Sequence, residues 1–385
     1  MLIAIPKERR PGEARVAASP DTVKKYIGLG LQVVVETGAG DGSSIPDAQY
    51  QDAGATIASD AASALKDADV VLKVQRPMTA AEGNDEVALM KKGAVLIGTL
   101  GALQNRDQVK AYAEAGITAF AMELVPRITR AQSMDVLSSQ SNLAGYKAVL
   151  EAANEYTRVF PMMMTAAGTV PPAKVLVMGA GVAGLQAIAT AKRLGAVVTA
   201  TDVRPAVREQ VESLGGKFLS VDPEAEKEAE TAGGYAKEMS DEYKQKQREK
   251  VHEALKKTDI AITTALIPGR PAPVLITEEM VKDMKPGSVI VDLAVEAGGN
   301  CPLSKLGKVV TKYGVKIVGY ANMPSRLATD AGALYAKNLL NFLTPLVDKE
   351  TKALNINWED EIVKGTCLTR DGKVVHAAFA GEGGQ

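Results

Sequence analysis

The residues of this chain whose types and spacing are most specific for chemistry lie between Lys174 and Asp202. The run Val175–Met178 is apolar and leads directly into a glycine-rich segment from Gly179 to Gly184, which reads GAGVAG. An Ala-rich segment and a second apolar run follow, and that run ends at Asp202. This order predicts a strand, a glycine turn, a helix and a second strand ending in a carboxylate, as in the first unit of a dinucleotide-binding domain.

Each glycine of the motif has a separate physical role. Gly179 allows the tight turn off the strand, Gly181 lets the backbone approach a pyrophosphate, and Gly184 lets the helix pack close to the sheet. The first helical turn offers N–H groups to the anion. The candidate cofactor contacts in this turn are Gly179, Ala180, Gly181, Val182 and Gly184.

The carboxylate of Asp202 indicates which dinucleotide binds. Asp202 lies eighteen residues after Gly184, where a carboxylate accepts hydrogen bonds from the adenosine ribose hydroxyls. A 2′-phosphate there would meet like charge, so Asp202 favours NAD(H) over NADP(H). Arg204 leaves an alternative open, because a nearby arginine can accept a 2′-phosphate. The favoured interpretation is that it covers the adenine or is a surface charge, and Arg204 is a candidate cofactor contact. Val203, between them, is a further candidate contact.

Bulk composition limits the function classes. A chain of 385 residues predicts two domains. The net charge of −1 gives no general attraction to nucleic acid or to an anionic membrane surface. The two cysteines, Cys301 and Cys367, form no metal or redox motif, which is typical of a reducing cytosol. No run of eighteen apolar residues is present, so we expect no direct membrane insertion.

Histidine is scarce, which bears on acid–base chemistry. The chain has two histidines. His252 lies in a Lys/Glu-rich helical segment and His376 lies near the C-terminus. We expect both to face solvent, and we expect neither to act in catalysis.

The order of elements predicts the α/β class, with two Rossmann-like doubly wound parallel-sheet domains separated by a cleft. The first domain comprises residues 1–137 together with a tail, 325–385, that packs back on it. The second, 138–324, binds NAD(H), and Ile317–Tyr320 is expected to be the last strand. No glycine motif follows the predicted strands of the first domain, so it is not expected to hold the pyrophosphate. Those strands are Leu2–Ile5, Gln32–Glu36, Val70–Val74, Ala94–Ile97 and Ile117–Ala121.

A polar connector joins the two predicted domains. The stretch from Pro126 to Asp135 is polar and lacks clear periodicity. A helix follows, with Ser138 or Ser139 as the expected N-cap, and runs into Asn154. Because cofactors commonly bind in clefts between domains, the connector is a candidate region of the site.

The second domain contains an insertion from Asp222 to about Lys257 that exceeds what a crossover between strands needs. It includes AGGYAKEM, in which two glycines precede Tyr235 and Met239. This composition predicts a mobile loop at about 222–245 that closes over a site and places these two apolar side chains against it. The alternative is a solvated charged loop.

With these motifs together, the chain resembles the NAD(H)-binding soluble component of the proton-translocating nicotinamide nucleotide transhydrogenases, over essentially its full length. More distantly, it resembles the alanine dehydrogenases. Several of the matching segments are long and are not general features of dinucleotide-binding proteins. They read IPKERRPGE, KVQRPMT, PRITRAQSMDVLSSQSNLAGYKAV, GAGVAGLQAIATAKRLGA, TAGGYAKEM, ITTALIPGRPAP and VDLAVEAGGNCPLS.

The resemblance implies direct hydride transfer from NADH on this chain to NADP⁺ on a separate NADP(H)-binding component. A membrane-spanning component would couple this transfer to proton movement, and the chain would be a cytoplasmic homodimer held at the inner membrane by its partners. Arg127 and Asp135 would anchor the carboxamide and ribose region, and Gln132 would reach toward the partner's nucleotide. Further implied contacts are Ile128, Thr129, Arg130, Ser138, Gly234, Tyr235, Gln247 and Leu266.

The residue inventory agrees with that chemistry, because hydride transfer between two nicotinamides needs alignment and exclusion of water and no general acid or base. The alternative is a free-standing alanine-type amino-acid dehydrogenase. By resemblance those enzymes carry a lysine like Lys73, a catalytic histidine where this chain has Thr99, and an aspartate near Glu296. With the proton carrier missing, Lys73 and Arg15 are interpreted as structural remnants or ion-pair partners. A third hypothesis is a non-catalytic NAD(H)-binding regulator.

Overall fold

The computed structural model describes residues 1–220 and 241–380, which fold as two compact units. The first unit joins Met1–Gln140 to Pro324–Gln385, and the second is Ser141–Met323. The first unit is therefore built from both ends of the chain, whereas the second is one continuous stretch between them.

The first unit is organised around a mostly parallel sheet. Its strands are β1 (Leu2–Ile5), β2 (Gln32–Glu36), β3 (Thr56–Ala58), β4 (Val70–Gln75), β5 (Val95–Thr99), β6 (Thr118–Ala121), β16 (Cys367–Arg370) and β17 (Lys373–Val374). Among the described residues their order is β17-β16-β6-β5-β4-β1-β2-β3. The chain builds β2 and β3 on one side of β1 and β4 to β6 on the other, which is the doubly wound arrangement.

The second unit repeats this arrangement in a separate sheet. Its strands are β9 (Lys174–Met178), β10 (Val197–Thr201), β11 (Lys217–Phe218), β12 (Ile260–Thr263), β13 (Val289–Asp292), β14 (Lys308–Lys312) and β15 (Val315–Gly319). The described strands lie in the order β11-β10-β9-β12-β13-β15-β14. A separate hairpin pairs β7 (Met163–Thr165) with β8 (Gly168–Val170). The central strands β12 and β13 are buried at every position, as expected when helices cover both faces of a sheet.

Helices cover the sheets and connect their strands. The α-helices are α1 (Pro20–Gly28), α2 (Asp47–Asp52), α3 (Ala61–Leu65), α4 (Arg106–Glu114), α5 (Val136–Glu155), α6 (Val182–Arg193), α7 (Arg208–Ser213), α8 (Asp241–Leu255), α9 (Glu278–Asp283), α10 (Ala328–Leu343) and α11 (Glu361–Thr366). Short 3₁₀ helices lie at Asp41–Ser43, Ala80–Glu82, Met122–Leu124, Thr129–Met134, Pro205–Val207, Val295–Ala297, Met323–Leu327 and Thr344–Leu346. The tail helix α10 buries Tyr335, Leu339 and Phe342 in the core of the first unit.

The predicted fold class is confirmed, with antiparallel strands added at one edge of each sheet. The expected last strand of the second domain, Ile317–Tyr320, is present as β15 (Val315–Gly319), and the tail adds β16 and β17 to the first sheet. Both edge hairpins turn through two left-handed residues, Tyr313-Gly314 and Asp371-Gly372. Such turns match the twist of paired strands, so each hairpin forms locally without a crossover helix.

In the portion of the chain that the structure describes, we find no helix that combines the length and the apolar character needed to cross a membrane.

Helix α5 approaches α6 unusually closely through a glycine. A Cβ atom built on Gly145 would lie 2.0 Å from the carbonyl oxygen of Ala183, well inside van der Waals contact. Glycine in a helix interior costs about 1 kcal/mol relative to alanine. The close backbone approach is what requires glycine here.

We therefore expect Gly145→Ala to lower the free energy of unfolding by about 1–3 kcal/mol, because the added methyl group must push α5 away from the first turn of α6. The matched control is Gly28→Ala in α1, where a Cβ would meet nothing within 4 Å. That change should be neutral or stabilise by up to about 1 kcal/mol. Denaturant unfolding followed by circular dichroism measures both, and equal effects would contradict the close approach.

Candidate functional site

The carboxyl ends of β9 and β12 form the topological switch point of the second sheet. From β9 the chain builds β10 and β11 on one side, and then β12 and its neighbours on the other. At such a point the connections leave toward opposite faces of the sheet, which opens a crevice where ligands bind. The glycine turn follows Met178 at this edge, and a loop follows Thr263.

The glycine turn has the geometry of an anion cradle. Gly179 has a φ of +105°, in the left-handed region that favours glycine. A Cβ on Gly184 would lie 1.8 Å from the carbonyl oxygen of Gly179, so α6 starts directly against the turn. Gly181 is the N-cap of α6 and supplies no side-chain cap, and a Cβ on it would meet nothing within 4 Å. The first-turn N–H groups of α6 are thus suited to a diphosphate.

Asp202 is tied to the same turn. Its side chain is 5% exposed, and its Oδ2 accepts the backbone N–H of Ala180 at 2.7 Å. Oδ1 accepts the backbone N–H of Arg204 at 2.8 Å. The Arg204 guanidinium also pairs with the carboxylate, with Nε 3.0 Å from Oδ1 and Nη2 3.0 Å from Oδ2. This hydrogen-bonded pairing raises the pKa of Arg204. Val203 is exposed between them.

The loop after β12 is held against the glycine turn by polar side chains. The Thr264 hydroxyl donates to the carbonyl oxygen of Gly179 at 3.1 Å. Buried Asn300 accepts the N–H of Ala265 at 3.1 Å and donates to its carbonyl oxygen at 2.9 Å. The next residue, Leu266, has a 58% exposed side chain. An exposed apolar residue is thereby fixed beside the switch point.

The connector residues lie in the first unit. Buried Ala131 and Met134 anchor the 3₁₀ helix Thr129–Met134 and leave Gln132 exposed. Arg130 makes a bidentate pair with Asp360, at 2.9 Å for both nitrogens. Of the other predicted connector contacts, Arg127 and Thr129 are exposed, and Ile128 packs against the core.

The start of α5 differs from expectation. Asp135, and not Ser138 or Ser139, caps the helix, which begins at Val136. The Asp135 carboxylate accepts the backbone N–H of Ser138 at 2.9 Å and also the Ser138 hydroxyl. The serine N-cap prediction is wrong because buried Val136 already belongs to the first helical turn.

Two asparagines that sequence reasoning missed hold the connector in place. Asn338 and Asn341 of α10 donate to the carbonyl oxygen of Ser133 at 2.9 and 3.0 Å. Asn338 also accepts the Ser139 hydroxyl at 2.8 Å. The sequence offered one signal for this contact: two asparagines, which are poor helix formers, lie close together in a predicted helix.

The predicted site residues thus form two groups. The glycine turn, Asp202 and the Leu266 loop come together in the second unit, and the residues from Arg127 to Ser138 come together in the first. Gln247 lies in α8 and is half-buried. Gly234, Tyr235 and Met239 lie outside the described residues.

The corresponding switch point of the first sheet, between β1 and β4, is occupied by the chain's own charges. Lys73 is 1% exposed, and its Nζ lies 3.0 Å from both carboxylate oxygens of Glu86 and 3.4 Å from Glu8. Burial raises the pKa of Glu8, although Lys73 and the Val74 N–H oppose the shift. Lys73 is thus held by two carboxyl groups of the same chain, and the Arg9 guanidinium lies 3.7 Å from one of them, Glu86.

Arg15 and Thr99, which were compared above with the dehydrogenases, are likewise bonded to other residues of the first unit. Arg15 pairs with Glu13 through Nε and Nη2, at 2.8 and 2.6 Å. The Tyr335 hydroxyl accepts the Thr99 N–H at 2.8 Å and donates to the carbonyl oxygen of Lys73 at 3.0 Å. The interpretation of Lys73 and Arg15 as ion-pair partners is confirmed.

Neither histidine faces solvent freely, so that expectation is wrong. His252 Nε2 lies 2.9 Å from a carboxylate oxygen of Asp283. His376 Nε2 lies 3.2 Å from the carbonyl oxygen of Gly365, and burial lowers its pKa. Both histidines are half-buried.

These features define a family, and comparison with known proteins agrees. The chain belongs to the alanine dehydrogenase/PNT family: residues 4–144 match its N-terminal domain and residues 148–377 its C-terminal domain. The resemblance drawn from the sequence is therefore confirmed.

Individual relatives make the comparison more specific. The chain is 72% identical over 383 residues to the first portion of NAD(P) transhydrogenase subunit alpha of Rhodospirillum rubrum, covering 100% of both chains. A crystal structure of transhydrogenase from Sinorhizobium meliloti superposes with a TM-score of 0.85 at 53% identity, over 98% of this chain and 100% of that one. Alanine dehydrogenase of Methanococcus maripaludis is 31% identical over 391 residues, covering 99% and 96% of the two chains.

The Arg15–Glu13 pair predicts a specific acid dependence. Burial of Glu13 opposes ionisation, but hydrogen bonds and charge attraction from Arg15 lower the pKa of that carboxyl to about 2, from 4.5. The ionised carboxyl therefore contributes stability that is fully present above pH 4.5 and is lost as pH falls through about 2. We expect Glu13→Gln to remove this contribution, on the order of 3 kcal/mol. Its unfolding free energy should fall less steeply between pH 4.5 and 2 than that of the unmodified chain.

Urea unfolding across this pH range makes the measurement. Glu114→Gln, which changes an exposed carboxyl of the same unit, is the matched control. Parallel pH profiles for the unmodified chain and Glu13→Gln would contradict the pairing.

Proposed function

We propose that this chain is the NAD(H)-binding component of a proton-translocating transhydrogenase. It holds NADH while hydride passes to NADP⁺ on a separate NADP(H)-binding component, and a membrane-spanning component couples transfer to proton movement. The observation that carries the proposal is the 72% identity over the whole chain to the first portion of a transhydrogenase alpha subunit. The chain is cytoplasmic in this proposal and lies at the membrane only through its partners.

The groups at the second switch point fit an NAD(H) molecule. The glycine turn and the uncapped start of α6 suit the pyrophosphate. The Asp202 carboxylate suits the adenosine ribose hydroxyls, and Leu266 offers apolar surface nearer the nicotinamide. Residues 138–324 would form this NAD(H) domain, and the segment 222–245, with Gly234 and Tyr235, would close over it.

For hydride transfer between two nicotinamides, the protein has only to position the rings. Bound NADH supplies the hydride. Gln132 is exposed on an anchored 3₁₀ helix, which suits a residue that reaches the partner's nucleotide. Arg127 and Asp135 would orient the carboxamide and ribose. No side chain has to gain or lose a proton, because both nicotinamide rings exchange only hydride.

The rival amino-acid dehydrogenase is disfavoured by the charges of the first unit. A deaminating enzyme needs a cation for the substrate carboxylate and a proton carrier. Here Lys73 and Arg15 are buried and paired with carboxylates of the same chain. Thr99, in place of a histidine, is bonded to Tyr335.

A homodimer also belongs to the proposal. The β7–β8 hairpin exposes Met162, Met163 and Met164, the last at 81%. A two-stranded hairpin with so much exposed apolar surface is marginal alone and is stabilised by packing. A second copy of the chain would supply that packing, and sedimentation velocity distinguishes dimer from monomer.

The first test mixes the chain with an NADP(H)-binding transhydrogenase component and follows oxidation of bound NADH. We expect hydride transfer in the mixture and none from either component alone. Gln132→Asn should slow transfer much more than it weakens NADH binding, because the shorter side chain no longer spans to the partner's nucleotide. A variant that binds NADH poorly yet transfers normally would refute this assignment of roles.

The same preparation excludes the rivals. NADH consumption with pyruvate and ammonia by the chain alone would favour an amino-acid dehydrogenase. Nucleotide binding without transfer in the mixture would favour a non-catalytic regulator.

We further expect Asp202→Ala to weaken NADH binding by roughly 1–3 kcal/mol, the cost of leaving ribose hydroxyls unpaired. Fluorescence titration of bound NADH measures this. Unchanged affinity would show that the carboxylate does not contact the ribose.

A further inference from the structure

The hydrogen-bonding capacity of the Asp202 carboxylate is fully used before any nucleotide contact is counted. A carboxylate offers about four acceptor positions on its two oxygens. Oδ1 accepts the backbone N–H and Nε of Arg204, and Oδ2 accepts the backbone N–H of Ala180 and Nη2 of Arg204. A ribose that binds this carboxylate must therefore displace a donor.

The guanidinium is the donor that can leave. The other two donors are backbone N–H groups fixed by the glycine turn and by the residues after β10. The Arg204 side chain is 37% exposed, whereas that of Asp202 is 5% exposed, so the arginine can exchange its partner for water. Because the arginine end of the pair is open to solvent, the attraction is weaker than that of a fully buried pair.

From this arrangement we infer that Arg204 is a specificity residue that Asp202 holds inactive, and that the pair is a masked site for a 2′-phosphorylated nucleotide. In the native chain Arg204 competes with the ribose hydroxyls for Asp202. A 2′-phosphate is rejected because the Asp202 carboxylate repels it. The same carboxylate also pairs with the Arg204 guanidinium, which is then not available to the phosphate. The inference rests on the proposed function, since it refines the selectivity of the same nucleotide site.

Four full-length proteins test the inference by fluorescence titration with NADH and NADPH: the unmodified chain, Asp202→Asn, Arg204→Gln and the double variant. Asp202→Asn keeps an acceptor for the Ala180 N–H but loses the charge that holds the guanidinium. We expect it to bind NADPH at least about tenfold more tightly than the unmodified chain does, as for one new charge-assisted contact. The double variant should lose that gain.

Arg204→Gln alone should bind NADH roughly two- to fivefold more tightly, because a weak competitor for the carboxylate is gone. Asp67→Asn, which removes an exposed charge from the other unit, controls for net charge and should change neither affinity. If Asp202→Asn unfolds, Asp202→Ser gives the same comparison without the charge.

The outcomes separate the two proposals. An NADPH gain that persists in the double variant, or no gain at all in Asp202→Asn, would overturn the inference. Weaker NADH binding by Arg204→Gln would overturn it too, since the arginine would then be a direct contact. Failure of the unmodified chain to bind NADH would instead refute the proposed function.

Discussion

The second unit depends on a backbone-to-backbone contact in which helix α6 starts directly against the glycine turn. With only 1.8 Å between a hypothetical Gly184 Cβ and the Gly179 carbonyl oxygen, no side chain fits there. Because these glycines have no side chains, the N-terminus of α6 lies at the edge of the sheet. Its backbone N–H groups carry no side-chain cap there, so an anion can reach them. Asp202 and Thr264 then bond to the same turn. The glycine turn therefore fixes the positions of the polar groups around the second switch point.

The first five strands of the two units have the same order, but the two switch points differ in what they present. In the second unit the edge presents backbone N–H groups and a carboxylate. In the first, Lys73, Glu8 and Glu86 bury their charges against one another. Removing one member would leave its partner buried without a counter-charge, which is strongly destabilising. The three residues are therefore expected to occur together or to be absent together. A shared fold therefore does not imply a shared ligand, and side chains decide which crevice is a site.

The regions of the fold that local rules govern were predictable from the sequence. The glycine motif was readable because each glycine has its own steric role. The Asp371-Gly372 pair is a strong hairpin signal that the sequence analysis did not use, whereas Tyr313 in a left-handed conformation follows no common preference. Choosing Asp135 over Ser138 as the cap required knowing that Val136 is buried. The Asn338 contact to the connector spans 205 residues, so no local pattern encodes it.

The tail contributes α10 and β16 to the first unit, so the core of that unit is incomplete until the tail has been synthesised. The Tyr335 hydroxyl accepts the backbone N–H of Thr99, and β16 pairs with β6. The ribosome makes these segments after the whole second unit. The second unit can thus complete its core during translation, while the first unit must wait, with its apolar strands exposed, until the segments after residue 324 have emerged. Nascent chains stalled before residue 328 should for that reason be the species that chaperones engage.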